Sequence, residues 1–420
     1  MDKFIIKGPT KLRGEVSISG SKNAALPIMT ACIAKPGIYR LKNVPNLRDT
    51  RTMAKLLKIV GCKVSKTNNT LFIDTRDCDN PEAPYELVKT MRASFYVLGP
   101  LLSRFKYAKV SLPGGCAWGP RPIDYHLTAF ETLGAKVTLR SGYIVTKGDL
   151  KAHVIKFPQP SVGATGNIIM ACSNLNEHVN IINAAKEPEI VDLCNFLEKT
   201  GVQFKGIGTD NLTVLGSTKN IPKEIDYTII PDRIEAGTFL IACAATGGHI
   251  KLTNINSDHL QNVIENLRRS NVIINKSKNN LEIISKKNTT SVSLSTDVYP
   301  GYPTDLQAQW ITYMSITKGT SVVKDTIYVD RFTHIPELNR LGANIQLNKN
   351  TATISGVDQL FGAKIMSTDI RASASLIIAS MCATGKSELS RIYHIDRGYE
   401  YIEKKLDLLG ANIKRVNHKS

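Results

Sequence analysis

Several familiar signatures are missing from this chain of 420 residues. It has eight cysteines (Cys32, Cys62, Cys78, Cys116, Cys172, Cys194, Cys243 and Cys382), yet no CxxC pair and no grouping of histidine with cysteine. That excludes the common zinc and iron–sulfur arrangements, and metal binding is not expected. Several of these thiols fall in apolar helical runs, the pattern of reduced core cysteines in a reducing compartment. Aromatic residues make up only 6%, and no zinc-finger, RRM or basic-zipper pattern occurs. The net charge of +18 is therefore read as a Lys/Asn bias plus one anionic substrate site. A nucleic-acid binder remains the rival from a different class. No apolar run is long enough to span a bilayer, and the opening Met-Asp-Lys-Phe-Ile-Ile-Lys has no apolar export core, so the expectation is a cytoplasmic protein with no membrane insertion.

What the chain does contain is a repeat. Six times an amphipathic helix closes on Gly or Asn and a short β-rich run follows: Gly61, Gly134, Gly201, Asn271, Gly342 and Gly410. The spacing is nearly even, a period of roughly 70 residues. Gly or Asn belongs there because the residue that closes a helix often adopts the left-handed conformation. Each copy also has an earlier helix, apolar almost all round and rich in small residues, beginning near Ala24, Ala93, Gly163, Ala236, Gln307 and Ala372. Such helices are buried. The unit reads as helix, strand, helix, strand, strand, in an α/β fold. The last copy lacks its second closing strand, and the strand-like residues 3–7 and 13–19 are expected to complete it. That gives one continuous domain of three repeats (22–230) and a second, discontinuous one (1–21 with 231–420), the chain crossing at Gly20 and at Tyr227–Pro231.

The unusual polar residues fall at the starts of the buried helices and in the strand-to-helix loops. The helix starts carry Ser21-Lys22-Asn23, Arg92, Ser161-Val162-Gly163, Asp232 to Glu235, Thr304-Asp305 and Asp369-Ile370-Arg371. The loops carry Arg48-Asp49, Cys116 to Asp124, Lys186-Glu187, Asp258, Arg331 and Asp396-Arg397. One such residue is ordinarily a solvated charge or a cap. Together, basic residues at helix N-termini predict a polyanionic small molecule held between the domains. The stretch 111–126 is stiff with glycine and proline and places Cys116 shortly before Arg121, a setting that favours a reactive thiol.

Eight segments resemble the enolpyruvyl transferases over essentially the whole chain. They are Gly20 to Pro27, Met91 to Ser94, Leu112 to Cys116 with Gly119 and Arg121-Pro122, Ser161 to Thr165, Pro231 to Glu235, Pro300 to Asp305, Asp369 to Ser373 and Asp396 to Glu400. The resemblance implies two inverse α/β barrel domains, each of three repeats about a pseudo-threefold axis. It also implies transfer of the enolpyruvyl group of phosphoenolpyruvate to the 3′-hydroxyl of UDP-N-acetylglucosamine, with release of phosphate and with no metal or organic cofactor.

Roles follow from the same resemblance. Cys116 is the acid and Asp305 the base or the hydroxyl's partner. Lys22, Arg121 and Arg397 hold phosphate, and Arg331 with Arg371 the carboxylate. Asn23, Arg92, Arg121, Pro122, Ile123, Asp124, Tyr125, Ser161, Val162, Gly163 and Ile327 match positions that bind the sugar nucleotide, and Asp369 matches a further site residue. Trp118, Pro120 and Gln159-Pro160 depart from the family's usual residues. The nearest rival, the 3-phosphoshikimate transferase, lacks the Pro-Gly-Gly-Cys loop.

Overall fold

The computed structural model describes residues 2–112, 123–217, 222–286 and 289–417. The chain forms two compact units, Gly20–Ile230 (the first unit) and Met1–Ser19 with Pro231–Ser420 (the second unit). Among the described residues each has three four-stranded sheets, and all six have one plan. An edge strand pairs parallel to the next strand, and two further strands continue antiparallel. In the first unit the parallel pairs are Glu224–Thr228 with Ile38–Lys42, Glu82–Ala83 with Tyr107–Ser111, and Val154–Lys156 with Val179–Ile182. In the second they are Arg13–Ser17 with His249–Thr253, Leu294–Ser295 with Thr320–Lys324, and Lys364–Met366 with Gly385–Ser390.

The repeat therefore has one strand more than the sequence pattern shows, an edge strand ahead of the buried helix. The N-terminal segment also divides. Lys3–Gly8 completes the sixth sheet between Gly385–Ser390 and Asn412–Val416, as expected. Arg13–Ser17 does not join it: that strand is the parallel edge of the fourth sheet, beside His249–Thr253. Pairing between segments so far apart in the chain leaves no local trace, so the correction comes only from the fold.

The buried helices are Lys22–Ala31, Leu98–Phe105 and Val162–Ala171 in the first unit. Their counterparts in the second are Arg233–Thr246, Gln307–Met314 and Ile370–Cys382. They sit inside and the sheets outside, which is the inverse of an ordinary α/β barrel. The outer helices are amphipathic: Leu260, Ile264 and Leu267 are buried in one, and Ile402, Leu406 and Leu409 in another. Truncating such a leucine to alanine costs about 2–5 kcal/mol. All six closing residues adopt the left-handed conformation, with φ of 96, 95, 88, 65, 96 and 90° from Gly61 to Gly410. Asn271 thus does a glycine's work, as asparagine can.

A second left-handed position recurs that the sequence reading missed. Asn43, Asn183 and Asn254 follow their strands with φ of 58, 58 and 53°. Each turns its amide back to donate to the carbonyl just past the neighbouring parallel strand: Ile229, Phe157 and Ile18, at 2.9, 2.8 and 2.7 Å. These bonds tie together the ends of the strands that lead into the polar loops.

Two buried carboxylates hold the backbone where the chain leaves each unit. In the second unit Glu235 accepts the Ser19 N–H at 2.8 Å and pairs with Lys405 at 2.6 Å. In the first, Asp192 accepts the Ile230 N–H at 3.3 Å and the Tyr227 hydroxyl at 2.6 Å. Burial raises the pKa of both, Asp192 to about 6.

Candidate functional site

The helix starts and strand-to-helix loops meet in both units. In the second unit Asp305 lies in the short 3-10 turn Thr304–Leu306 that leads into Gln307–Met314. Arg331 lies in the loop after the strand Thr320–Lys324, and Arg371 in the first turn of Ile370–Cys382. The three side chains converge: Arg331 Nη2 is 2.7 Å from Asp305 Oδ1, and Arg371 Nη2 is 2.5 Å from Asp305 Oδ2. Close approach is permitted by missing side chains. A Cβ on Gly237 would lie 2.3 Å from Leu306, and one on Gly398 would lie 2.6 Å from Ile370. Alanine at either would push the Leu306 or Ile370 side chain out of its place.

Behind each arginine stands a hydroxyl. Arg331 Nη1 donates to Thr304 Oγ1 at 3.2 Å, and Thr304 in turn donates to Asp325 Oδ2 at 2.7 Å. Asp325 Oδ1 also accepts the Thr296 hydroxyl and the N–H groups of Ile327 and Tyr328, which fixes the half-buried Ile327. Arg371 Nη1 donates to the Tyr399 hydroxyl at 3.4 Å. Arg371 is 6% exposed; burial works against its charge, but Asp305 beside it outweighs that, and its pKa ends above the usual value. It is charged at any working pH.

Asp369 is the N-cap of its helix. Its Oδ1 accepts the N–H groups of Arg371 and Ala372 at 2.7 and 3.1 Å, and Oδ2 accepts from Thr368. Such a cap is worth about 1 kcal/mol, and here it also fixes the backbone of Arg371. Arg397 ends the 3-10 turn Ile392–Arg397, just before Tyr399. Its neighbour Asp396 is turned to Arg415 instead.

In the first unit Lys22 opens its helix, with Ser21 as cap and Asn23 half-buried beside it. Lys22 Nζ is 3.5 Å from Asp49 Oδ2, in the first turn of Arg48–Ile59. Ser161 caps Val162–Ala171 by accepting the Ala164 N–H at 3.3 Å. A Cβ on Gly163 would lie 3.2 Å from His126 Nε2. Asn167 Oδ1 takes the Gly99 N–H, so its Nδ2 is the donor to His126 Nδ1 at 3.1 Å. Burial pushes His126 down to about 4, so the ring is neutral and its proton sits on Nε2, facing Gly163. Ile123 precedes the helix Asp124–Thr132, Asp124 is exposed, and Tyr125 stacks on Phe157 at 6.2 Å. Residues 123–126 and 161–163 are thus brought together. Arg92 begins the turn Arg92–Val97; its side chain lies outside the described residues, as do Cys116, Arg121 and Pro122.

The sequence reading missed Tyr399, Gln309, Thr238, Asp325 and His126, most of them neutral. The nearest signal was position: Tyr399 follows Arg397 in a segment already singled out. Among the described residues no group of three or more His, Cys, Asp or Glu is placed to hold a metal ion, and no helix is long and apolar enough to cross a membrane. None of the seven described cysteines is in a disulfide.

The family model described as EPSP synthase (3-phosphoshikimate 1-carboxyvinyltransferase) matches residues 6–406. A UDP-N-acetylglucosamine 1-carboxyvinyltransferase of Chlorobium phaeovibrioides is 48% identical over 422 residues, covering 100% of this chain and 99% of the relative. One of Geotalea daltonii is 48% identical over 417 residues, covering 99% and 100%. Among solved structures, the enolpyruvyl transferase NikO from Streptomyces tendae aligns with a TM-score of 0.90 at 21% identity, covering 99% of each chain. EPSP synthase from Acinetobacter baumannii aligns with a TM-score of 0.75 at 16% identity, covering 99% of this chain and 100% of that one.

Proposed function

The chain belongs to the enolpyruvyl transferase family, and from that premise we propose that it transfers the enolpyruvyl group of phosphoenolpyruvate to the 3′-hydroxyl of UDP-N-acetylglucosamine. That is the first committed step of peptidoglycan synthesis, carried out in the cytoplasm on two small molecules. The observation that carries the chemistry is the clamp of Arg331 and Arg371 on Asp305. Two guanidinium forks converging on one carboxylate oxygen pair make a receptor for a substrate carboxylate. The carboxylate already in it becomes a free base when the substrate's takes its place.

The reaction is addition then elimination. The sugar hydroxyl gives its proton to Asp305 as its oxygen bonds to C2 of phosphoenolpyruvate, and Cys116 protonates the methylene carbon. A proton then leaves the resulting methyl group, the double bond re-forms, and phosphate departs. Lys22, Arg121 and Arg397 take the phosphate charge. The helix start at Ser161, Val162 and Gly163, with residues 121–125, Asn23, Arg92 and Ile327, takes the sugar nucleotide. Asp369 acts by capping the helix that carries Arg371.

Phosphate release from phosphoenolpyruvate, measured with UDP-N-acetylglucosamine, with shikimate 3-phosphate and with neither, tests the reading. Release that requires the sugar nucleotide is expected. Release driven by shikimate 3-phosphate, or none with either acceptor, would overturn it.

A further inference from the structure

Behind Arg371 three helices of the second unit bring their polar side chains to one point. Thr238 comes from Arg233–Thr246, Gln309 from Gln307–Met314 and Arg371 from Ile370–Cys382. The Tyr399 hydroxyl stands among them, and the residue is 2% exposed. The direction of each bond can be worked out. The Thr238 hydroxyl donates its one proton to the Ile234 carbonyl at 2.8 Å. It must therefore accept from Tyr399, whose oxygen is 2.8 Å away. The Tyr399 oxygen then has its lone pairs free for two donors, Arg371 Nη1 at 3.4 Å and Gln309 Nε2 at 3.2 Å. Gln309 Nε2 also reaches the Asp305 carbonyl at 3.2 Å and Thr238 Oγ1 at 3.1 Å. Burial raises the Tyr399 phenol above its usual value, so it keeps the proton that fixes this pattern.

We propose that Tyr399 is a positioning residue for the reaction, its hydroxyl gripping the inner nitrogen of Arg371 so that the outer nitrogen can exchange Asp305 for the carboxylate of phosphoenolpyruvate without the guanidinium moving. The inference rests on the function proposed above. Its physical basis is the division of labour within one guanidinium. Nη2 faces Asp305, whose side chain is 23% exposed, while Nη1 donates to the neutral Tyr399 hydroxyl; the charge of Asp232 also acts on Arg371. A neutral partner bonded to Nη1 suits this purpose, because a carboxylate bonded there would lower the attraction left for the substrate. The Gln309 bond to the Asp305 carbonyl links the same network to the backbone of the residue being displaced. Gly398 leaves the space in which Tyr399 can be reached by the helix that carries Arg371.

The experiment is steady-state phosphate release by the full chain, with phosphoenolpyruvate and UDP-N-acetylglucosamine varied separately. Tyr399→Phe should raise KM for phosphoenolpyruvate about tenfold, the loss of one hydrogen bond to a charged group. KM for the sugar nucleotide and kcat should stay within about twofold. A merely structural tyrosine would move both KM values together, or neither. Thr238→Ser keeps the acceptor and should behave as the native chain, whereas Thr238→Val frees the phenol proton to turn on Arg371 and should raise the same KM. This second pair carries the test if Tyr399→Phe does not fold. An unchanged phosphoenolpyruvate KM in Tyr399→Phe, or equal behaviour of the two Thr238 variants, overturns this inference alone. A native chain without turnover overturns it together with the function on which it rests.

Discussion

In the first unit Lys22 rests against Asp49, a carboxylate with 4% of its side chain exposed; in the second, Arg331 and Arg371 rest against Asp305, with 23% exposed. The sealed counter-charge is permanent. So little of it is exposed that an arriving anion has poor access to it, and removing either partner takes a counter-charge from the other inside the fold. The open counter-charge is temporary, because an arriving anion can compete for the same nitrogens. Two units with the same repeat and the same helix starts thus treat their cations oppositely. Under the proposed function, one would keep a fixed positive point for phosphate, and the other a pair of forks occupied until a carboxylate arrives.

The largest effect is expected from Lys22→Ala. Turnover should fall by orders of magnitude, and melting temperature should fall too, since Asp49 loses a partner inside the fold. Near-normal phosphate release would show that the fixed cation is elsewhere. Asp305→Ala comes next and should break the symmetry of the comparison. Turnover should drop about a hundredfold or more, while phosphoenolpyruvate binding, followed by titration calorimetry, should hold or tighten because its competitor is gone. Weaker binding would contradict a displaceable carboxylate.

The smallest effect contrasts the two carboxylates that hold the chain ends of the units, one beside Lys405 and the other beside a neutral phenol. Asp192 has its pKa raised from 3.8 to about 6. A raised carboxyl stabilises the fold most when protonated, so its contribution is greatest below the unfolded value and is lost as pH rises through about 6. Between pH 7.5 and 5.5 the native chain should gain about 1 kcal/mol over Asp192→Asn in denaturant unfolding. Parallel curves for the two proteins would place the titration elsewhere.

What the sequence made legible had a local physical cause. The six closing residues were readable because a left-handed φ selects Gly or Asn within a single turn. The polar face was readable because lysine, arginine and serine at a helix start answer to the free N–H groups there. The edge strands were not, since Glu82–Ala83 and Leu294–Ser295 are too short for any alternation to show. Nor was the partner of Arg13–Ser17, the distant strand His249–Thr253, which lies beyond the whole first unit in the chain. Tyr399 stayed hidden because a buried hydroxyl looks like core until three helices place their polar groups around it. Charged residues announced themselves; the neutral groups that hold them did not.

The place of Lys3–Gly8 has a consequence in time. It lies between Gly385–Ser390 and Asn412–Val416, so its first partner is made only after the whole first unit and most of the second. At a synthesis rate of about 5–20 residues per second, the strand waits roughly 20–75 s for a neighbour. Gly20–Ile230, being continuous, can close as soon as it has emerged. During that wait Phe4 and Ile6, both buried in the finished protein, remain open to any passing apolar surface. This strand is made long before it is sheltered, and a holding chaperone would find its substrate there while the ribosome is still at work.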